Sequence, residues 1–209
     1  MPDHDPIGFA SGLGAKLAAR SRHVCVFIGA GVGAACGLPE VAALQDKVLG
    51  SLGDADRDAF ASQLNGRNLE EALSRLRRIA ALVSDDQKVD DLTGAAASEL
   101  DKAVCQSIVK ALALEATDLK PVEYFAAWAN RASYQLPLEV FTVNYDLLLE
   151  TAFESRGVPY FDGFVGNLEG RFHTELIESA HGDREWIPSF FVRLWKLHGS
   201  VNWARREDQ

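Results

Sequence analysis

Three short apolar runs of β-type sequence lie far apart in the chain. They read VCVFIG (24–29), LEVFTV (138–143) and FVRLWKLHG (191–199). Short apolar runs bounded by turn residues are typical of buried strands. Because helical sequence separates the runs, the pattern predicts an α/β fold, in which a Rossmann-like parallel sheet of three strands carries helices on both faces.

Helical periodicity fills most of the sequence between the runs. It predicts helices over residues 8–20 and 40–52, then a long helical region without a strand from about 54 to 135, which we interpret as an insertion. A late helix of this region is expected to start at Pro121, since proline suits the first turn. The mixed sequence of 158–190 predicts loops with a short hairpin.

Two amphipathic helices are predicted inside the insertion. Asn68 is expected to cap the first, because Glu71 follows three residues later, as in a capping box. Apolar residues recur at helical spacing on both helices, which is typical of core or of a contact between subunits. The first stripe is Leu69, Leu73, Leu76 and Ile79, and the second is Leu92, Ala96, Leu100, Val104, Ile108 and Leu112.

Glycines and polar residues follow each apolar run. The first run leads into GAGVGAACGLPE, the second into Asn144 and Asp146, and the third into His198, Gly199 and Ser200. Ligands of open parallel sheets bind beyond the carboxyl ends of the strands. The three strand ends are therefore expected to form one site.

The glycine-rich turn is suited to a phosphate. Gly29, Gly31 and Gly33 remove side chains where a strand passes into a helix, so that backbone N–H groups can approach an anion. A conformation open only to glycine is a second possible reason for Gly31, and a simple tight turn is the alternative interpretation. The acidic residue that dehydrogenases place about 20 residues later is replaced by helical sequence, which disfavours hydride transfer.

The composition of the chain limits the classes of partner that it is expected to bind. The 209 residues are 47% apolar and 24% charged, as in a soluble globular protein, and the net charge is −9. We expect no direct nucleic-acid binding, because that would require a basic surface. The acidic N-terminus is unlike a secretory signal, and no apolar run approaches the roughly 20 residues of a membrane span. A cytoplasmic location and no membrane contact are expected.

The cysteines and the other histidines have no predicted chemistry. Cys25, Cys36 and Cys105 form no C-x-x-C pair, so they supply neither a disulfide framework nor a four-cysteine zinc site. We expect them to act as small apolar residues. No role is assigned to His4, His23, His173 or His181.

The three strand-end segments resemble motifs of the sirtuin family. GAGVGAACGLPE is similar to GAG-x-S-x-x-x-G-[IL]-P, TVNYD to T-Q-N-x-D, and KLHGS to E-L-H-G-S, and all three occur in the family's order. The resemblance spans roughly 24–203. It is closest to divergent bacterial sirtuin-like domains with NYD and KLHGSVNW, many of which degrade NAD in defence against phage.

The resemblance implies NAD as the substrate and a role for each motif position. Asn144 would hold the nicotinamide ribose and a water, Asp146 would hydrogen-bond the carboxamide, and His198 would act as general base. The pyrophosphate would lie against Gly29, Ala30, Gly31 and Gly33, and further NAD contacts are expected at Pro39, Glu40, Thr142 and Ser200.

The chemistry of these residue types agrees with the implied roles. Cleavage of the nicotinamide–ribose bond develops an oxocarbenium-like centre and requires a group that takes a proton near neutral pH. Histidine is the side chain that titrates there. Structural alternatives remain: Asn144 as a helix N-cap, Asp146 as a partner of the helix dipole, and His198 as a hydrogen-bonded structural residue.

Several positions depart from the deacylating sirtuins. Gly33 replaces the usual serine, Val41 and Ala42 replace an aromatic–arginine pair, and the four-cysteine zinc module after the histidine motif is missing, so no zinc is expected. Asn144 and His198 are 54 positions apart, which implies an insertion around the site. These departures favour water as the acceptor and hence an NAD hydrolase. A protein-lysine deacylase and a non-catalytic nucleotide-binding or assembly module are the alternatives.

The resemblance also carries expectations about the extent and regulation of the protein. We expect one sirtuin-like NAD-binding domain over 1–209, belonging to a longer protein, because further strands with a glycine-threonine-serine turn are expected after the 11 residues that follow His198. Uncontrolled NAD hydrolysis would be lethal to the cell. We therefore expect a homo-oligomer, or a complex with a sensor or effector such as a short Argonaute or a motor ATPase.

Overall fold

The computed structural model describes residues 5–18, 23–130, 136–166, 169–178 and 192–204. Contacts divide the chain into two compact units. The sheet unit comprises Met1–Cys36 and Asp118–Gln209, and the helical unit comprises Gly37–Thr117. No helix in the described ranges is both long and apolar enough to cross a membrane.

The described part of the chain forms the following helices and strands in chain order. They are α1 (Pro6–Leu17), β1 (Cys25–Ile28), α2 (Ala30–Ala35), α3 (Val41–Ser51), α4 (Asp54–Leu64), α5 (Leu69–Leu82), α6 (Gly94–Ala111), α7 (Lys120–Asn130), β2 (Leu138–Thr142), α8 (Leu148–Ser155), β3 (Tyr160–Phe161), β4 (Phe164–Val165), β5 (Arg171–Phe172), α9 (Thr174–Glu178) and β6 (Val192–Lys196).

A four-stranded parallel sheet, in the order β1-β2-β6-β3, forms the centre of the sheet unit. Ile28 lies opposite Thr142, and Thr142 lies opposite Lys196, so three strands end at the same edge. The prediction of an α/β, Rossmann-like sheet is confirmed. The prediction of three strands missed β3, which has only two residues and hence no periodicity of its own.

One face of the sheet is closely packed. Phe153 of α8 contacts Phe125 of α7 and Tyr160 of β3, with ring centroids 6.1 and 5.7 Å apart. Helices α7 and α8 also pack against each other. Alternate residues of the two central strands, which share one face of the sheet, are at most 1% exposed: Leu138, Val140, Val192 and Leu194.

Strand β1 is not the fully buried strand that its apolar sequence predicted. It is an edge strand whose neighbour is β2, and Cys25 and Phe27 are exposed, Phe27 by 65%. These two side chains share a face because alternate residues of a strand point the same way. The expectation that the cysteines behave as small apolar residues holds for Cys36, which is fully buried, and is wrong for Cys25. Cys105 is half-buried.

The sequence after α8 contains the predicted hairpin. Strands β4 and β5 pair antiparallel, with Phe164 opposite Phe172. The short helix α9 follows, and it was not predicted. The part of the predicted loop region beyond residue 178 lies outside the described residues.

The helical unit contains helices at the two stretches where apolar periodicity predicted them. Asn68 and Glu71 form the predicted capping box, and the four residues of the first stripe are buried. Helix α6 starts later than predicted, at Gly94 after the cap Thr93, because the Thr93 side chain accepts the N–H of Ala96. Leu92 is therefore outside the helix, although it is buried, and the other residues of the second stripe are buried except Ala96, which is exposed. Both stripes are mainly core.

Candidate functional site

Three strand ends meet through hydrogen bonds at the carboxyl edge of the sheet. The Asn144 Nδ2 group donates to the Gly29 carbonyl at 3.2 Å, which joins the first two motif segments. The Leu197 N–H donates to the Thr142 carbonyl at 2.9 Å, and the Val201 N–H donates to the Tyr145 carbonyl at 3.0 Å. These two bonds join the second and third segments. The predicted convergence is therefore present.

The glycine turn forms the beginning of α2. Gly29 precedes the helix with an extended backbone (φ −113°, ψ −171°), and Ala30 and Gly31 are its first residues. A Cβ atom added at Gly29 or Gly31 would meet nothing within 4 Å, so open space lies in front of both. Neither has a positive φ, so the idea that Gly31 requires a glycine-only conformation is wrong. The first N–H groups of a helix lack intrahelical acceptors and can face an anion in that space. Gly33, within α2, is buried.

Asn144 is half-buried and held by its neighbours. Its backbone N–H donates to the Thr142 hydroxyl at 3.0 Å, and its side chain hydrogen-bonds both the Gly29 carbonyl and the Asp146 carboxylate. Helix α8 begins at Leu148 after the cap Leu147. The alternative interpretation of Asn144 as a helix N-cap is therefore wrong, since its bonds go elsewhere.

Asp146 is 8% exposed, and it bonds to the N-terminus of α8, as the alternative interpretation of this residue expected. Its Oδ1 accepts the N–H of Leu148, the first residue of α8, at 3.1 Å. Burial raises the pKa of this carboxyl group, while the Leu148 N–H, the Lys196 ammonium and the Asn144 side chain act in the opposite direction. The carboxylate thus interacts with α8 and with Asn144 at the same time.

His198 lies in the turn directly after β6 and is exposed to solvent. Its ring centroid is 6.3 Å from that of Tyr145, with the planes tilted by 41°. Gly199 follows with φ +95°, a left-handed conformation that glycine adopts without strain. The Ser200 hydroxyl donates to the Tyr145 carbonyl at 3.5 Å. His198 and Ser200 are thus adjacent to the segment that carries Asn144.

Pro39 and Glu40 belong to the helical unit. Glu40 is the N-cap residue of α3, without a side-chain capping bond, and Pro39 is half-buried. The contacts described above connect the predicted residues of the sheet unit. For Pro39 and Glu40 the role in NAD binding remains a prediction.

Sequence reasoning missed a buried ion pair below the site. Lys196, the last residue of β6, donates to Glu150 Oε1 at 2.7 Å, and the two side chains are 1% and 10% exposed. Burial raises the pKa of Glu150, and the Lys196 ammonium opposes this shift. The only sequence signal is a charged side chain within a mainly apolar run, because the partner is 46 positions away.

An aromatic cluster lies beside the turn that carries His198. Phe164 contacts Trp203 at a centroid distance of 4.9 Å and Phe172 at 5.3 Å. The β4–β5 hairpin, which belongs to the long interval between Asn144 and His198, therefore packs on the segment that follows the histidine. In the described part of the chain no group of three or more His, Cys, Asp or Glu residues is arranged to hold a metal ion.

Comparison with known proteins finds a similarity in the second half of the sheet unit. The family model of the SIR2-like domain matches residues 138–208, from the start of β2 to beyond His198. A comparison with curated proteins finds no match. The glycine turn lies before the matched range, but Asn144 links it to that range by the bond to Gly29. The sequence of residues 138–208 is therefore similar to the SIR2-like domain, over about a third of the chain.

Proposed function

We propose that this protein is an NAD hydrolase that cleaves the nicotinamide–ribose bond with water. The products would be nicotinamide and ADP-ribose, or a cyclised form of it. The observation that carries the proposal is the hydrogen-bonded contact of the three motif segments, with Asn144, Asp146 and His198 at one sheet edge.

Asn144 is the residue that we assign to the ribose and the attacking water. An asparagine amide has two N–H donor sites and one carbonyl acceptor. The donor side interacts with the Gly29 carbonyl and the Asp146 carboxylate, which fixes the orientation of the amide. The Oδ1 atom is then the acceptor for a ribose hydroxyl or water. A water that is already held near the sugar loses less entropy on reaching the reactive geometry, which lowers the activation barrier.

His198 is the residue that we assign to proton transfer. When water adds to the anomeric carbon and nicotinamide leaves, the water loses one proton, and a neutral imidazole accepts it. The ring lies in a solvent-exposed turn, so the proton can pass on to bulk water. We assign Asp146, which interacts with the Asn144 side chain, to the hydrogen bond with the carboxamide of nicotinamide.

The space in front of Gly29 and Gly31 fits the proposed pyrophosphate position. A side chain at either residue would occupy that space, and the start of α2 offers N–H donors beside it. Ala30 adds a methyl group and no charge. The pyrophosphate contacts are thus assigned to backbone groups.

Water as the acceptor is favoured over acetyl-lysine. The aromatic–arginine pair of deacylating sirtuins is replaced by Val41 and Ala42, and Val41 is 56% exposed in the helical unit. In deacylating sirtuins the aromatic side chain shields the reactive sugar from water. Its replacement is easier to reconcile with hydrolysis.

We further propose that hydrolysis serves defence against phage in the cytoplasm, by depletion of NAD. Such an activity has to be restrained, so an oligomer or a sensor partner is proposed as the control. The two apolar stripes of the helical unit are mainly buried, so an oligomer would use other residues. Turnover per chain should rise with protein concentration if association activates the enzyme, with light scattering as the parallel measurement.

The experiment is incubation of the purified protein with fluorogenic etheno-NAD and with NAD. We expect fluorescence to rise without any peptide, and chromatography to detect nicotinamide. Adding an acetylated peptide tests deacylation. Binding of NAD in calorimetry without any turnover would indicate a binding module. Activity that requires the peptide would contradict hydrolysis.

A further inference from the structure

Lys196 occupies a position where an ammonium group needs several acceptors. It lies opposite Thr142 in the sheet, and its side chain points to the same closely packed face as Leu194. The side chain is 1% exposed. Burial of an unpaired ammonium is strongly unfavourable, so its partners must satisfy the charge.

Those partners lie in the six residues that follow Asn144, which include the beginning of α8. Lys196 Nζ donates to the Asp146 carbonyl, to Glu150 Oε1 at 2.7 Å and to the Tyr145 carbonyl at 3.5 Å. An ammonium group has three N–H donors, and each has one of these acceptors. Lys196 therefore connects β6, the peptide groups after Asn144 and helix α8.

The chain between β2 and α8 depends on such contacts, because it lacks the regular backbone hydrogen bonds of a strand or helix. Residues 143–147 lie between β2 and α8 and belong to neither. The Tyr145 carbonyl accepts donors from Lys196, from the Val201 N–H and from the Ser200 hydroxyl. All three donors come from the stretch that contains His198. One carbonyl thus ties the two proposed catalytic segments together.

We propose that Lys196 is a positioning residue, which fixes the 144–146 segment relative to His198 through the carbonyls of Tyr145 and Asp146. This inference rests on the proposed function for its catalytic consequence. A displacement of about 1 Å at a reacting group can lower a rate by about 10²-fold. Loss of the lysine should therefore affect turnover more than NAD binding.

A purely structural ion pair would behave differently, and the chain contains a matched example. Arg193, also in β6, donates to Glu139 Oε1 of β2 at 3.1 Å, with side chains 6% and 7% exposed. Its partners do not include residues 144–146 among the described contacts. Buried ion pairs can often be replaced by apolar residues without loss of stability.

The test compares two double variants of the whole protein. Lys196→Met with Glu150→Leu removes the pair together with the carbonyl contacts, and Arg193→Met with Glu139→Leu is the control. We expect both to fold with cooperative melting. The first should lose about 10²-fold in kcat with a smaller change in KM, and the control should keep turnover within about threefold.

Hydrogen exchange in the unliganded protein supplies a readout that does not require activity. The amides of Leu148 and Val201, which bond to Asp146 and Tyr145, should exchange at least about tenfold faster in the Lys196 variant, while those of β2 and β6 stay protected. Unchanged exchange would overturn the proposal, and so would faster exchange with full kcat. If the wild-type protein does not cleave NAD, the proposed function fails, and exchange alone decides whether Lys196 holds the segment.

Discussion

Replacement of Asn144 by alanine separates catalysis from stability. The change removes the 3.2 Å bond to the Gly29 carbonyl and the interaction with the Asp146 carboxylate. One neutral bond and one bond to a charged group together contribute about 2 kcal/mol at a half-buried site. The expected decrease in melting temperature is about 4–8 °C for a chain of this size.

This loss of stability is too small to explain a loss of activity. A domain with a typical unfolding free energy of about 5–15 kcal/mol stays almost fully folded after losing about 2 kcal/mol. We nevertheless expect kcat/KM for NAD to fall by about 10²-fold or more, which corresponds to about 2.7 kcal/mol of transition-state stabilisation. The reason is the loss of the proposed acceptor for the ribose and the water.

The assay is etheno-NAD turnover beside a thermal melt, with Asn130→Ala as the matched control. Asn130 also donates its amide to a carbonyl, that of Arg156, at 3.2 Å, but it is exposed and lies on α7. That variant should keep wild-type turnover. Full turnover of folded Asn144→Ala would refute the assignment, because the side chain would then contribute only to the local structure.

Three further predictions concern the neighbouring residues. His198→Ala should lower kcat by about 10²-fold or more with little change in melting temperature, whereas His173→Ala, at a half-buried histidine outside the motif segments, should keep wild-type turnover; equal turnover in both would remove the base assignment. Gly31→Val should abolish NAD binding in calorimetry and cost about 1 kcal/mol or less of stability, because the space it fills is open and its backbone unstrained; unchanged affinity would show that the turn holds no phosphate. The raised pKa of Asp146 means that the folded state holds a proton more tightly than the unfolded state, so its contribution to stability is lost as pH rises above the ordinary value of 3.8. Asp146→Asn should therefore gain in melting temperature relative to wild type as pH rises from that value, and a gap that shrinks over this range would contradict the direction.

Local sequence predicted the meeting of the three motif segments better than it predicted the burial and number of the strands. Apolar runs followed by glycine or polar residues were sufficient to bring Gly29, Asn144 and His198 to one edge, because parallel strands end together. The exposure of Phe27 could not be predicted in this way, since an edge strand and a central strand can have the same apolar sequence. The two-residue strand β3 forms only because β6 is available to pair with it.

The Lys196–Glu150 pair could not be predicted because its two residues are distant in the sequence. Lys196 and Glu150 are far apart in sequence and face each other only after β6 has paired with β2. The start of α6 was misplaced for a local reason, because the Thr93 side chain caps the helix and the helix therefore begins at Gly94, two residues after Leu92. Helical spacing alone does not distinguish a residue inside the first turn from one just before it.

The measurement that tests the central claim most directly is product analysis with purified protein, NAD and no peptide. The account predicts that NAD disappears, that nicotinamide appears in equal amount, and that ADP-ribose or its cyclised form accounts for the remainder. Both Asn144→Ala and His198→Ala should suppress all of these products. Bound but intact NAD in the wild-type sample, or nicotinamide release only after an acetylated peptide is added, would contradict it.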